Sequence, residues 1–214
     1  SSYRMHQLMQ EVITEKLHPT PQNCHNLLTT LKNLFSVNEY QHFKQHTLPY
    51  IAYAQAVVSR LYRAAGQTQH TSPVSSLASL AFYLSDTYAA IGQLQPAMDT
   101  ISTAEKLFEQ LDDKYEIGRC YERKGEIYTA LGKLDMALEN YQKYHDLTQE
   151  LYAANPKNES LKNGLAISYS KLGNVYSALG KLDLALDNYQ KYHDLTQELY
   201  AANPKNESLK NGLA

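Results

Sequence analysis

Eight histidines carry the imidazoles of this chain, and two of them, His42 and His46, stand four residues apart. On a helix that spacing turns both rings to one face, where a metal ion could bridge them. A zinc site needs further ligands, and no Glu-x-x-His or cysteine lies nearby to complete one. A partly exposed pair without metal is the expectation. His145 and His193 occupy equivalent positions of a duplicated stretch, so one structural role filled twice is expected of them. Cys24 and Cys120 are far apart with no partner at metal-ligand spacing. They read as two reduced, half-buried thiols and not as a disulfide framework.

Carboxylates are abundant, yet acid–base catalysis needs them converged in a cleft with displaced pKa values. Asp112-Asp113 and Asp146/Asp194 instead fall near helix ends or on polar faces, where solvation and the helix dipole account for them. Gly164, Gly173 and Gly180 do not compose a Walker or dinucleotide loop. Serine, histidine and aspartate are all present, but sequence alone assembles no triad. No catalytic residue, metal or cofactor is assigned, and no enzymatic activity is expected. Asn158-Glu159-Ser160 and Asn206-Glu207-Ser208 match the glycosylation acceptor pattern. They are better read as helix starts, with Asn or Ser capping the helix that begins near Leu161.

The chain has 214 residues, 43% of them hydrophobic and 20% charged, which excludes a disordered tail. Its net charge of -2 provides no global field for DNA, RNA or anionic membrane, and no concentrated basic stripe replaces it. No apolar run approaches the ~18 residues of a membrane span. No nucleic-acid or membrane partner is expected, and the cytoplasm is the expected location. Ser1-Ser2-Tyr3-Arg4-Met5-His6 has neither a signal-peptide core nor an initiating methionine and reads as an internal cut.

The elements that would position any site come from a repeat. Residues 132–166 recur as residues 180–214, and only Met136/Leu184 and Glu139/Asp187 differ. So close a duplicate at that spacing marks a solenoid. Leu161, Leu165, Tyr169, Leu172, Tyr176 and Leu179 recur every three or four residues, one face of a helix. Gly180 ends that helix, and Asp183 is expected to cap the next. The second run, Ala185, Tyr189, Tyr192, Leu195, Leu199 and Tyr200, stops at Asn203-Pro204. So short a turn forces the two helices antiparallel. Gly173, like Gly125, is read as a helix crossing point, a tolerated surface glycine being the plainer alternative.

These residues resemble the tetratricopeptide repeat family. The pattern is carried by Tyr169, Leu172-Gly173, Tyr176, Gly180, Ala185 and Tyr189. The preceding unit has Tyr121, Lys124-Gly125, Tyr128, Gly132, Ala137 and Tyr141, departing at Lys124, where the family prefers an apolar residue. A weaker unit has Ala81, Leu84-Ser85, Tyr88, Gly92, Ala97 and Ile101, with serine replacing glycine. The turn glycines are 40 and then 48 residues apart, against about 34 in the family. The excess predicts helices of about 22 residues, near 33 Å long. The long period is similar to bacterial arrays of this family. The resemblance implies an all-α, right-handed superhelical solenoid of antiparallel helix pairs.

Repeats are expected at about 73–112, 113–157 and 158–205, with a truncated further helix at 206–214. Residues 1–72 read as an irregular helical region, a divergent repeat or a cap. Within it Thr20-Pro21 opens one helix, and another runs from about Leu48 to Ala65 and closes at Gly66. Gln67 to Ser72 reads as a linker before a helix opened by Ser72-Pro73. The C-terminal copy stops after Ala214, so an exposed apolar end and self-association through it are expected.

In the family the first helix of each pair lines a concave groove. The resemblance places there Ser79, Phe82, Asp86, Ala89 and Ala90. It adds Arg119, Glu122, Glu126, Thr129 and Ala130, then Ile167, Ser170, Asn174, Ser177 and Ala178. Relatives that hold a C-terminal carboxylate use lysines, an arginine and asparagines. Only Asn174 survives of that set, and Glu122 and Glu126 would repel such a ligand. The expectation is a protein-interaction scaffold that binds an apolar or basic peptide or helix, part of a larger signalling or adaptor protein. The alternative is a spacer that positions adjacent domains of the parent polypeptide and recognises nothing itself.

Overall fold

A computed structural model of the chain describes residues 20–36, 47–65 and 71–202. The regular elements among them are helical and pair antiparallel, stacking in a tetratricopeptide-like solenoid arrangement. They fall into two compact units, Ser1–Asp113 and Lys114–Ala214. His42, His46, Gly66, Gln67 to His70 and residues 203–214, on which several expectations rest, lie outside the described residues.

The first unit holds α1 (His25–Phe35), a short 3-10 turn (Leu48–Tyr50), α2 (Ile51–Ala65), α3 (Thr71–Ala90) and α4 (Leu94–Gln110). Both α1 and α2 pack on α3, and α3 pairs with α4. Leu27, Leu28, Leu31 and Phe35 form the buried stripe of α1, and Ala54, Val57, Val58 and Leu61 that of α2. Each stripe has the three-and-four spacing that one helix face requires. Ser85, standing where the repeat pattern has glycine, is fully buried. Its hydroxyl donates to the Ala97 carbonyl across the pair at 2.9 Å. The small side chain keeps the helices close, and the bond satisfies its one polar group.

Two helix starts differ from the reading of the sequence. Proline 21 does not open α1; residues 21–24 form a turn, and the helix begins at His25. Thr20 and Asn23 bond reciprocally there, the Thr20 N–H donating to Asn23 Oδ1 at 2.8 Å and the Asn23 N–H to Thr20 Oγ1 at 3.3 Å. That local turn competes with helix and delays it. At the other site α3 already runs from Thr71, so Pro73 sits inside the first turn, where its missing N–H costs nothing.

The second unit holds α5 (Lys114–Ala130), α6 (Leu134–Ala154), α7 (Glu159–Ala178) and α8 (Leu182–Ala202). Helix α5 pairs with α6, α7 with α8, and α6 packs on α7 to join the pairs. Gly132 and Gly180 turn the chain at φ 70° and 71°. Each turn closes with two bonds onto the preceding helix, as in Gly180 N–H to Ser177 O and Lys181 N–H to Tyr176 O. Asp183 does not cap α8: it lies within the first turn, where its charge favours the positive helix end. Asn158 does cap α7, accepting from the Ser160 and Leu161 N–H groups at 3.0 and 3.2 Å.

Candidate functional site: a cleft along α5 and α7

Where α5 and α7 run side by side over α6, a cleft of about 120 Å³ opens within the second unit. Tyr115, Arg119 and Glu122 line it from α5, Tyr144 and Thr148 from α6, and Leu161, Asn163, Gly164 and Ile167 from α7. Arg119, Glu122 and Ile167 of the expected groove are therefore brought together. The floor is fixed by α6: the Tyr144 hydroxyl donates to the Gly164 carbonyl at 3.2 Å, and Thr148 donates back to its own helix. Burial pushes the Tyr144 phenol well up, with the charge of Glu122 adding to it, so the donor stays protonated.

A charged strip runs along the same helices. Lys171 of α7 pairs with Glu126 at 2.5 Å and stands 3.7 Å from Glu122. Arg123 pairs with Glu126 from within α5, and Arg119 with Glu116 at 2.9 Å. Burial raises the Glu122 carboxyl above the ordinary range, and the pull of Lys171 does not cancel it. Lys171 is itself desolvated, yet its hydrogen bond to Glu126 and the nearby carboxylates hold its ammonium above the usual lysine value. Sequence reasoning missed this lysine, although Ile167, Lys171 and Asn174 share the helical spacing that marks one face.

The remaining expected groove residues are placed individually. Thr129 is exposed and donates to the Gly125 carbonyl at 2.8 Å. Ser170 is half-buried and Ser177 exposed. Asn174 is exposed, and its Oδ1 accepts from the Tyr189 hydroxyl at 2.8 Å. In the first unit Asp86 is half-buried, whereas Phe82 is buried, its ring edge-on to Tyr83 at 5.8 Å. Phe82 belongs to the core of that unit. Among the described residues no three His, Cys, Asp or Glu side chains gather as a metal site, and no helix is long and apolar enough to cross a membrane. Cys24 and Cys120 are both buried and form no disulfide.

Residues 116–198, covering α5 through most of α8, match the tetratricopeptide repeat family. These residues are tetratricopeptide repeats. The fold is shared with the MamA crystal structure, which is 20% identical, with a TM-score of 0.53 over 83% of this chain and 82% of that one. It is shared too with the nearly identical TPR-like repeats of a candidate kinesin light chain from Podosopora anserina. There identity is 15% and the TM-score 0.57, over 90% of this chain and 92% of that one. BtubC (BKLC) from P. vanneervenii is similar at 14% identity and a TM-score of 0.53, covering 86% and 75%. No curated protein matches the chain.

Within each tetratricopeptide repeat the same contacts recur 48 residues apart. Tyr141 lies over Gly125 as Tyr189 lies over Gly173. Lys143 sits 5.6 Å from the Tyr121 ring centre, and Lys191 5.5 Å from that of Tyr169. Lys114 pairs with Glu150 as Lys162 does with Glu198. Contacts between repeats do not recur. His145 is buried, its Nδ1 2.9 Å from Ser168 Oγ and its ring 4.6 Å from that of Tyr169. Ser168 spends its proton on the Leu165 carbonyl, so Nδ1–H is the donor to Ser168. His193 is exposed beside Asp194. Among the described residues α7 covers His145 on α6 and no helix covers His193 on α8, so the two histidines stand in different surroundings there.

Proposed function

We propose that the second unit is a peptide-binding scaffold whose ligand lies along the cleft between α5 and α7. A tetratricopeptide-like fold is suited to holding protein or peptide segments, and three of the expected groove residues meet in one opening. The observation that carries the proposal is the state of Glu122. Its carboxylate is half-buried at the cleft wall, where burial holds it above the ordinary range, while Lys171, 3.7 Å away, leans toward Glu126. A ligand bringing a basic or hydrogen-bond-donating group to Glu122 relieves that cost, and an apolar side chain beside it covers Tyr115 and Ile167. The occupant is thus a basic–apolar segment, extended or helical, and a terminal carboxylate is disfavoured. The same reading makes the unit an interaction module of a larger signalling or adaptor protein working in the cytoplasm.

Peptide display against the full chain tests this. Selected sequences should pair a basic with an apolar residue. Their affinity should fall by about tenfold for both Glu122→Gln and Ile167→Asp. Glu122→Gln keeps the volume and removes a costly charge, so the variant folds. Ligands that bind both variants as tightly as wild type would place the binding surface elsewhere.

A further inference from the structure

The joint between the two repeats of the second unit carries a titratable group at its centre. His145 of α6 is 8% exposed, buried where α7 packs on α6. Its Nδ1–H donates to Ser168 Oγ at 2.9 Å, and that hydroxyl gives its own proton to the Leu165 carbonyl. The imidazole lies 4.6 Å from the Tyr169 ring of α7, and Lys191 of α8 stands 5.5 Å from the same ring. One phenol thus has an imidazole and an ammonium as neighbours from two different helices. Immediately before His145, Tyr144 bonds the Gly164 carbonyl and forms the floor of the cleft, which Thr148 also lines. What holds α7 on α6 at this point therefore also fixes the cleft.

We propose that His145 is an acid-sensitive latch: neutral, it holds α7 on α6, and protonated, it releases the joint and with it the cleft. Protonation places a full charge on a ring with almost no access to water, and Ser168, a neutral hydroxyl, supplies no counter-charge. Lys191, kept cationic by Asp187 at 2.7 Å, opposes that charge from beside the same Tyr169 ring. Asp146, next on the same helix, favours it, but Asp146 is exposed and already accepts from Gln142 at 3.0 Å. Among the described residues no charge on α5 or α7 bears on the imidazole. Burial, with Lys191 against Asp146, holds it below the ordinary histidine range. The unfolded chain therefore takes the proton first. The joint is at full strength above the ordinary histidine value of about 6.5 and weakens as the pH falls below it. Control of the cleft rests on its reading as a peptide groove, whereas the latch itself does not.

Three measurements on the full chain test this. Titrated by NMR, the His145 imidazole should show a midpoint below about 6.5. Lys191→Met, which replaces an exposed side chain and so retains the fold, should raise that midpoint. Amide hydrogen exchange, corrected for its intrinsic pH dependence, should show α6 and α7 opening severalfold more at about pH 5.5 than at about pH 7.5. His145→Asn keeps a donor at the same distance from the backbone and cannot titrate, so it should abolish that acid response. A peptide selected for the cleft should lose more affinity on acidification in wild type than in this variant. An ordinary or raised midpoint, a midpoint indifferent to Lys191→Met, or an acid response that survives His145→Asn overturns the latch. An acid response with unchanged peptide affinity overturns its control of the cleft. An intact latch in a chain for which no cleft-binding peptide can be selected overturns the proposed function alone.

Discussion

At the scale of single residues, the helix crossings depend on what a side chain would meet. A Cβ built on Gly173 lies 2.7 Å from Tyr189 Cε1, and one on Gly125 meets Tyr141 at still shorter range. Neither is the tolerated surface glycine that the sequence left open, since both are buried. Alanine would gain up to about 1 kcal/mol of helix propensity at either site, so the outcome turns on whether the tyrosine can give way. Tyr141 is locked under α7, while Tyr189 has solvent beside it. Gly125→Ala should therefore cost about 1–3 kcal/mol by overpacking. Gly173→Ala should be close to neutral, both read by chemical denaturation. Equal losses would mean that Tyr189 is held as firmly as Tyr141.

At the scale of elements, α5 and α7 are tied by Lys171 between Glu122 and Glu126. The raised Glu122 carboxyl contributes stability that is fully present below its unfolded pKa and is lost as pH rises through the folded value. Lys171 limits that loss at neutral pH. Lys171→Met leaves two carboxylates facing each other with one fewer cation, and the penalty exists only when they are ionised. The variant should melt below wild type at pH 7, and the gap should narrow as the solution is acidified and Glu122 takes up its proton. A gap that stays constant across this range would show that Lys171 acts through its methylene packing. The helix pattern was legible because apolar spacing, turn glycines and the Asn158 cap are local signals. The true start of α1 was not, because the Thr20–Asn23 turn rivals proline as a helix opener and the spacing of apolar residues does not reveal which wins.

At the scale of the whole molecule, stacked repeats are stabilised by their neighbours as much as by themselves. Helices α6 and α8 share a sequence, and only α6 has a described neighbour on its outer face. Amide hydrogen exchange should be slower in α6 than in α8, although peptides of the two helices would exchange alike. Matching protection would mean that pairing within a repeat supplies nearly all of the stability. The all-α class, the antiparallel pairs and the small residues at crossings follow from the sequence by itself, because they rest on periodicity and on residues within one turn of each other. The convergence of Arg119, Glu122 and Ile167, the bridging by Lys171 and the burial of Phe82 and His145 were decided only by tertiary structure. Each depends on which surface arrives from a distant part of the chain, and desolvation, the term that separates such sites, is set by that arrival and not by the residue.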